Sequence, residues 1–325
     1  MAARDLVSLY NGVPGAEGLH VNLDTDTVAV VGLGNVALDV VRMLLTPVDE
    51  LRRTDVAESW LEQLARSRVR RVVVVGRRGP LHVSFTIKEL RELLKLGGTR
   101  TVVKREELVG AREALGSLAR PRKRLTELLL KAGEGPWDEE TVGRWAAADR
   151  EWQLRLYRSP VEVVGREQVE ALVLAVNRAT EEGRVEDTGE REVLETGLVL
   201  RSIGYRSVAA DPALPFDQAR GVVPNTAGRV AGAQGLYVAG WLATGPRGVI
   251  IDTMNTAFRV AAAVVEDLQG RELGEVAGRA GVEVEGATDW AGWEAVDREE
   301  VRRGEEQGRP RVKVTSVEEM LRLAT

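Results

Sequence analysis

TVAVVGLGNVALDVVRMLL, residues 27–45, is the stretch from which the fold can be read. A short apolar run, Thr27 to Val31, leads into Gly32-Leu33-Gly34-Asn35-Val36-Ala37, and an apolar face at helical spacing follows over residues 36–45. The order strand, tight turn, helix gives the G-x-G-x-x-G/A pattern the context that raises it above a chance match. Each position has a physical reason. Gly32 permits the turn, Gly34 lets the backbone approach a pyrophosphate, and Ala37 lets the helix pack close to the strand. The helix start would then present free N–H groups and the positive end of its dipole to phosphate oxygens.

Outward from this unit, Pro47 ends the helix and a second helix is expected over 56–65. Four consecutive valines, residues 72–75, suit a central parallel strand covered on both faces. Helical periodicity over 86–96, closed by Gly97-Gly98, precedes an expected strand at 100–104. The repetition argues for an α/β fold with a Rossmann-like parallel sheet. Helices are expected at 125–131 and 139–152. Strands are expected at 161–164, 171–176 and 197–203, with a polar hairpin at 180–192. Residues 204–224, rich in Pro, Asp and Gly, mark a domain junction. After it come an expected strand at 235–240, a glycine-bearing loop at 241–248 and a helix at 249–268. Trp290 and Trp293 are expected to anchor the charged tail by packing.

Composition narrows the chemistry. The 325 residues, 44% hydrophobic and 29% charged, suffice for one large or two medium domains. The absence of cysteine removes disulfides, thiolate-held zinc, Cys-ligated iron–sulfur clusters and a redox-active Cys pair. Redox work would therefore need a bound organic cofactor. Two isolated histidines, His20 and His82, make neither a metal site nor a catalytic triad attractive. No tyrosine is followed four positions later by lysine, so the short-chain dehydrogenase pair is also missing. No apolar run is long enough for a membrane span, and residues 1–11 read as neither a secretory signal nor an Arg-rich targeting segment. Charge is uneven: residues 1–131 hold 22 Lys and Arg against 16 Asp and Glu, and the remainder 23 against 34. A basic first half suits phosphates or an acidic partner. Nucleic acid is disfavoured because interleaved aromatics and a strongly basic domain are lacking.

At the end of the valine strand an NAD site usually places a carboxylate for the ribose hydroxyls. Here Gly76 is followed by Arg77 and Arg78. Two guanidinium groups match a 2′-phosphate in charge and geometry, so NADP is the expected coenzyme.

The strings GNVALDV with LLTP behind it, VVVVGRRGPLHVSFTIKELREL, ARPRKRLTELLL, LRSIGYRS, GVVPN and GWLATGPRGVI resemble the adrenodoxin (ferredoxin) reductase family, in order and over nearly the whole chain. The resemblance implies an NADP-binding domain over residues 1–205, and the C-terminal portion of an FAD-binding Rossmann-like domain over 206–325. It places Gly32, Leu33, Gly34, Asn35 and Val36 around the NADP pyrophosphate, Arg77 and Arg78 on the 2′-phosphate, and Glu89 against the nucleotide. Trp241, Gly248, Val249 and Ile250 would lie against the flavin of FAD, Gly248 also near the nicotinamide. Arg91, Arg120 and Arg124 would dock a small acidic iron–sulfur protein of the adrenodoxin or ferredoxin type.

The implied reaction carries electrons from NADPH through FAD to that partner, feeding mitochondrial cytochrome P450 steroid metabolism or iron–sulfur biogenesis. The setting would be the mitochondrial matrix or the matrix face of the inner membrane, with peripheral membrane association. No side-chain acid or base is required, so no catalytic side chain is expected. Members of the family open with a flavin-binding strand and a second G-x-G-x-x-G. Here GVPGAEG, residues 12–18, offers no such unit, and the residues before Val28 are fewer than the roughly 30 that a βαβ unit needs. Weak or absent FAD binding by this chain alone, exposed apolar surface and a loosely held segment after Tyr205 are expected in consequence. The alternative is a shortened form that binds NADP(H) or the partner without turnover.

Overall fold

Val28 and Val30 face one way and Ala29 the other, and that alternation organises the first half of the chain. The structure, a computed structural model, describes residues 1–180, 184–269 and 287–325. It divides into two compact units, Met1–Ile203 with Thr288–Thr325, and Gly204–Ala287.

In the first unit the elements run α1 Ala3–Tyr10, β1 Thr27–Val31, α2 Asn35–Leu45, α3 Val48–Leu51, α4 Glu58–Ala65, β2 Arg71–Val75, α5 Ile87–Leu94, β3 Thr99–Val103, α6 Arg120–Glu134, α7 Glu139–Ala146 and β4 Arg150–Arg155. They continue with β5 Arg158–Val164, β6 Ala171–Ala179, β7 Val185–Glu195 and β8 Leu198–Arg201. Five strands form a parallel sheet in the order β3-β4-β2-β1-β8, with Val28 opposite Val72 and Leu198. On one face Val28, Val30, Val72, Val74, Trp152 and Leu154 pack in a single core with α2, α4, α5 and α6. On the other, Ala29, Val73 and Val75 meet Leu172 and Leu174. The antiparallel sheet β5-β6-β7 therefore covers the face opposite the helices. This is why the valine run is apolar at every position: a strand buried on both sides has no residue to give to water.

One local reading gives way here and another holds. The helix expected over 139–152 stops at Ala146, and Trp152 lies in β4, its Nε1 donating to Thr101 Oγ1 at 2.9 Å. Trp152, Leu154 and Leu156, all 0% exposed, alternate with period two, a strand signal that the flanking charges of Arg150 and Glu151 obscure. The polar stretch read as a hairpin is one: β7, eleven residues, runs antiparallel to β6, and Thr180 N donates to Arg184 O at 2.9 Å where the two strands connect. Its polarity follows from its exposure, since most of its residues face water.

The second unit holds β9 Asn225–Thr226 and β10 Arg229–Val230, a tight antiparallel pair, then α8 Trp241–Thr244 and α9 Ile250–Leu268. The strand expected at 235–240 is not formed. That segment makes one bridge, Tyr237 to Arg229, between Gly235 and Gly240 in left-handed conformations that interrupt pairing.

The chain then returns to the first unit with α10 Trp290–Glu306 and α11 Val317–Ala324. Arg309 donates to the carbonyls of Thr54 and Val56, and Lys313 pairs with Asp55, so the last residues join the helical layer rather than extend the segment that begins at 206. Trp290 and Trp293 are not packing anchors. They are 70% and 49% exposed and stack on each other with ring centroids 4.6 Å apart.

Candidate functional site

At the C-terminal end of β1 the chain turns through Gly32, whose φ of +133° belongs to glycine. A Cβ there would stand 2.0 Å from the carbonyl oxygen of Ser202. The turn is tied to both neighbours, Gly32 N donating to Val75 O at 2.9 Å and Ser202 N to Val31 O at 2.7 Å. Gly34 caps α2 with extended backbone and no side-chain cap. The first N–H groups of α2 therefore point outward without an intrahelical acceptor. A Cβ on Gly34 would meet no atom within 4 Å, so this glycine faces open space. No neighbouring atom of the fold limits it to glycine.

Leu33 and Asn35 fasten the turn to the segment between β2 and α5. Leu33 O accepts from Ser84 N at 2.7 Å and Phe85 N at 2.9 Å, and the Leu33 side chain fills the place a Cβ on Gly76 would take. Asn35 Oδ1 accepts from Thr86 N at 2.8 Å, fixing the start of α5. One turn into α5, Glu89 Oε2 is buried with no hydrogen-bond partner. An unpaired buried carboxylate oxygen is unfavourable, and a ligand donor would relieve it. Arg77 and Arg78 lie on the loop after β2, both exposed. Nearby, His82 is held below its usual value by partial burial and then by the charges of Arg78 and Arg122. The structure thus gathers Gly32, Leu33, Gly34, Asn35, Val36, Arg77, Arg78 and Glu89 at one end of the parallel sheet, the C-terminal end of β1 and β2, where open α/β sheets bind ligands.

No family model matches the chain. It is 47% identical over 340 residues to NADPH:adrenodoxin oxidoreductase, mitochondrial, of Salvelinus fontinalis, covering 99% of this chain and 68% of that protein. The human protein of the same name is 44% identical at the same coverage. The chain belongs to the adrenodoxin reductase family. NADPH-ferredoxin reductase FprA of Mycobacterium tuberculosis is 37% identical over 99% of this chain and 73% of its own length. The solved structure of FprA in complex with NADPH superposes with a TM-score of 0.88 at 35% identity, covering the whole of this chain and 73% of that one. The family is one of NADPH-dependent oxidoreductases.

Two residues that sequence reading missed adjoin this candidate site. Tyr157 and Asn177 hold the arginine loop from behind, and no local pattern marks them, since they come from the antiparallel sheet and its approach. The basic residues attributed to partner docking fall on adjacent helices. Arg91 is on α5, Arg120 and Arg124 are one turn apart on α6, and all three are exposed. Arg122, between them, is engaged by its own protein, Nη1 donating to Val83 O at 2.6 Å.

In the second unit, Gly248 has a φ of +83° and Val249 caps α9, its N–H donating to Asp252 Oδ2 at 2.9 Å. As at any helix start, the N–H groups of Ile250 and Ile251 have no intrahelical acceptor. Trp241 is 44% exposed and Ile250 88%. Tyr205 lies beside Trp241, ring centroids 5.9 Å apart. Ile250, Met254 and Phe258 continue an exposed apolar stripe down α9. Among the described residues no helix is long and apolar enough to cross a membrane.

Proposed function

We propose that this chain binds NADPH in the cradle at residues 32–37 and that its enzyme passes electrons from NADPH, with FAD, to a ferredoxin-type iron–sulfur protein. The observation that carries the coenzyme assignment is the pair of exposed guanidinium groups, Arg77 and Arg78, where an NAD site has a carboxylate. The rest of the cradle fits: an uncapped helix start, a glycine facing empty space, and a buried carboxylate oxygen on Glu89 awaiting a donor such as a ribose hydroxyl.

The second unit offers the ring system of FAD an apolar and aromatic surface in Trp241, Val249 and Ile250, with Gly248 keeping the backbone open beside them. When bound, FAD supplies the conversion between two-electron and one-electron chemistry. The protein's own residues orient and shield, and no side chain has to move a proton.

The partner reading has an energetic argument behind it. Arg120, Arg122, Lys123 and Arg124 crowd the first turns of α6, the positive end of the helix dipole, where each cation opposes stability by about 0.3–1 kcal/mol. Charges kept at an unfavourable position suit a task outside the fold. Arg91, Arg120 and Arg124 together form a surface for a small acidic protein, and steering by such a patch raises encounter rates. Residence in mitochondria, at the matrix face of the inner membrane, and supply of electrons to cytochrome P450 or to iron–sulfur biogenesis belong to the same proposal. The mitochondrial names of the relatives support it.

The test is calorimetric titration with NADP+ and NAD+. Two exposed charge-assisted contacts together are worth about 2–3 kcal/mol, so replacing Arg77 and Arg78 by Ala is expected to weaken NADP+ binding roughly 30- to 150-fold and leave NAD+ unchanged. Unaltered preference in the double variant would refute the assignment.

A further inference from the structure

We propose that Asn177 is a positioning residue for coenzyme specificity: its buried side-chain amide fixes the backbone from which Arg77 and Arg78 reach the 2′-phosphate. The inference rests on the NADP reading above and deepens it. Both arginines sit on exposed loop, where a free backbone would scatter long side chains over many directions. The structure instead pins three successive carbonyls. Gly76 O accepts from Arg158 N at 2.9 Å, Arg77 O from Asn177 Nδ2 at 3.1 Å, and Arg78 O from Tyr157 N at 3.4 Å. Gly76 N closes the set on Arg155 O at 2.9 Å.

Asn177 is the keystone because it acts at three points. It is 8% exposed, in β6, and its Nδ2 reaches Ser159 Oγ at 2.8 Å as well as Arg77 O. Its backbone N–H donates to Tyr157 O at 2.8 Å. Tyr157 has a φ of +54°, a conformation L side chains rarely adopt, and such residues persist where their surroundings over-determine them. The ring of Tyr157 in turn lies over Gly79, where a Cβ would stand 1.9 Å from the phenol oxygen. A strained residue, a glycine with no room for a side chain and a buried amide thus converge on one four-residue loop. Nothing in the packing of β6 demands an amide at 177, since the two groups its side chain serves are a loop carbonyl and a serine hydroxyl. Holding the loop carbonyl in place lowers the entropy lost when the two guanidinium groups close on a phosphate.

The experiment titrates the full chain with NADP+ and with NAD+, which differ only in the 2′-phosphate. Asn177→Asp keeps the volume but removes the donor, and Asn177→Ala removes both. Each is expected to weaken NADP+ binding roughly three- to tenfold, the worth of one hydrogen bond, while NAD+ affinity stays within twofold. Ser159→Ala, which frees the amide from its second partner, is expected to move NADP+ affinity in the same direction by a smaller factor, and it carries the test if the Asn177 variants do not fold. Parallel loss of both coenzymes would mean a structural role alone, and unchanged NADP+ affinity would mean no role; either overturns the proposal. The Arg77→Ala/Arg78→Ala variant in the same titration separates the failures. If it loses the NADP+ preference while the Asn177 and Ser159 variants keep it, the clamp fails and the coenzyme reading stands. If it keeps the preference, the coenzyme reading falls and takes the clamp with it.

Discussion

Replacing Gly34 by Ala separates a ligand cradle from a mere turn, because the two roles demand different outcomes at this position. Gly34 has φ −100° and ψ 173°, ordinary extended backbone, and a Cβ there would find no atom within 4 Å. For folding alone, alanine is then close to neutral. Restriction of the unfolded chain contributes about 0.4–1 kcal/mol, offset by a similar loss because alanine is a poorer N-cap than glycine, so Tm should stay within about 3 °C of the parent. For binding, the same methyl group would occupy space that a pyrophosphate must enter to reach the N–H groups at the start of α2. Losing one charge-assisted hydrogen bond costs about 1.5–3 kcal/mol, so NADP+ affinity should fall roughly 10- to 150-fold. Gly32→Ala is the internal contrast. Its φ of +133° and the Ser202 oxygen 2.0 Å from the would-be Cβ make it a folding lesion of about 1–3 kcal/mol or more, read as a fall in Tm. Differential scanning calorimetry and coenzyme titration on both variants give four numbers. A Gly34→Ala protein that melts within about 3 °C of the parent and binds NADP+ equally well would refute the cradle.

Two further outcomes concern charge. Burial pushes the Glu192 carboxyl up, but hydrogen bonds from Arg155 and Arg158 outweigh it and leave it below the usual carboxylate range. A depressed folded pKa contributes stability that is complete above about pH 4.5, the unpaired value, and is lost as pH falls through the folded one. Tm measured between pH 6 and 3 should therefore fall more steeply in the parent than in Glu192→Gln; identical slopes would exclude the network as the acid-sensitive element. His82 behaves in the same sense: partial burial first, then Arg78 and Arg122, hold it below its usual value of 6.5, so stability declines as pH falls below 6.5. A phosphate on Arg78 would cancel part of that repulsion. Ring-proton NMR, simple in a chain with two histidines, should show the His82 pKa rising on addition of NADP+, and a shift downward or none would count against Arg78 as a phosphate ligand.

The division between what the sequence discloses and what it hides follows the range of the interactions. The candidate cradle is legible because one contiguous stretch, residues 27–45, carries it: an apolar strand, two glycines with different backbone duties, and a helix that begins at once. The valine run and the arginines behind it are legible for the same reason. Strand β4 is obscured because Arg150 and Glu151 give its start the composition of a helix surface, although Trp152, Leu154 and Leu156 alternate as a strand should. Strand β7 is obscured because most of its side chains face water, so only its pairing along β6 makes it a strand. Tyr157 and Asn177 lie deeper still, since Asn177 meets Arg77 across 100 positions of chain and no periodicity connects them. Specificity loops are exposed and short of contacts of their own, so what stiffens them must come from distant strands. On the proposed coenzyme assignment, a local motif names the phosphate, whereas the proposed positioning of the groups that would select it involves residues that only the assembled fold brings into reach.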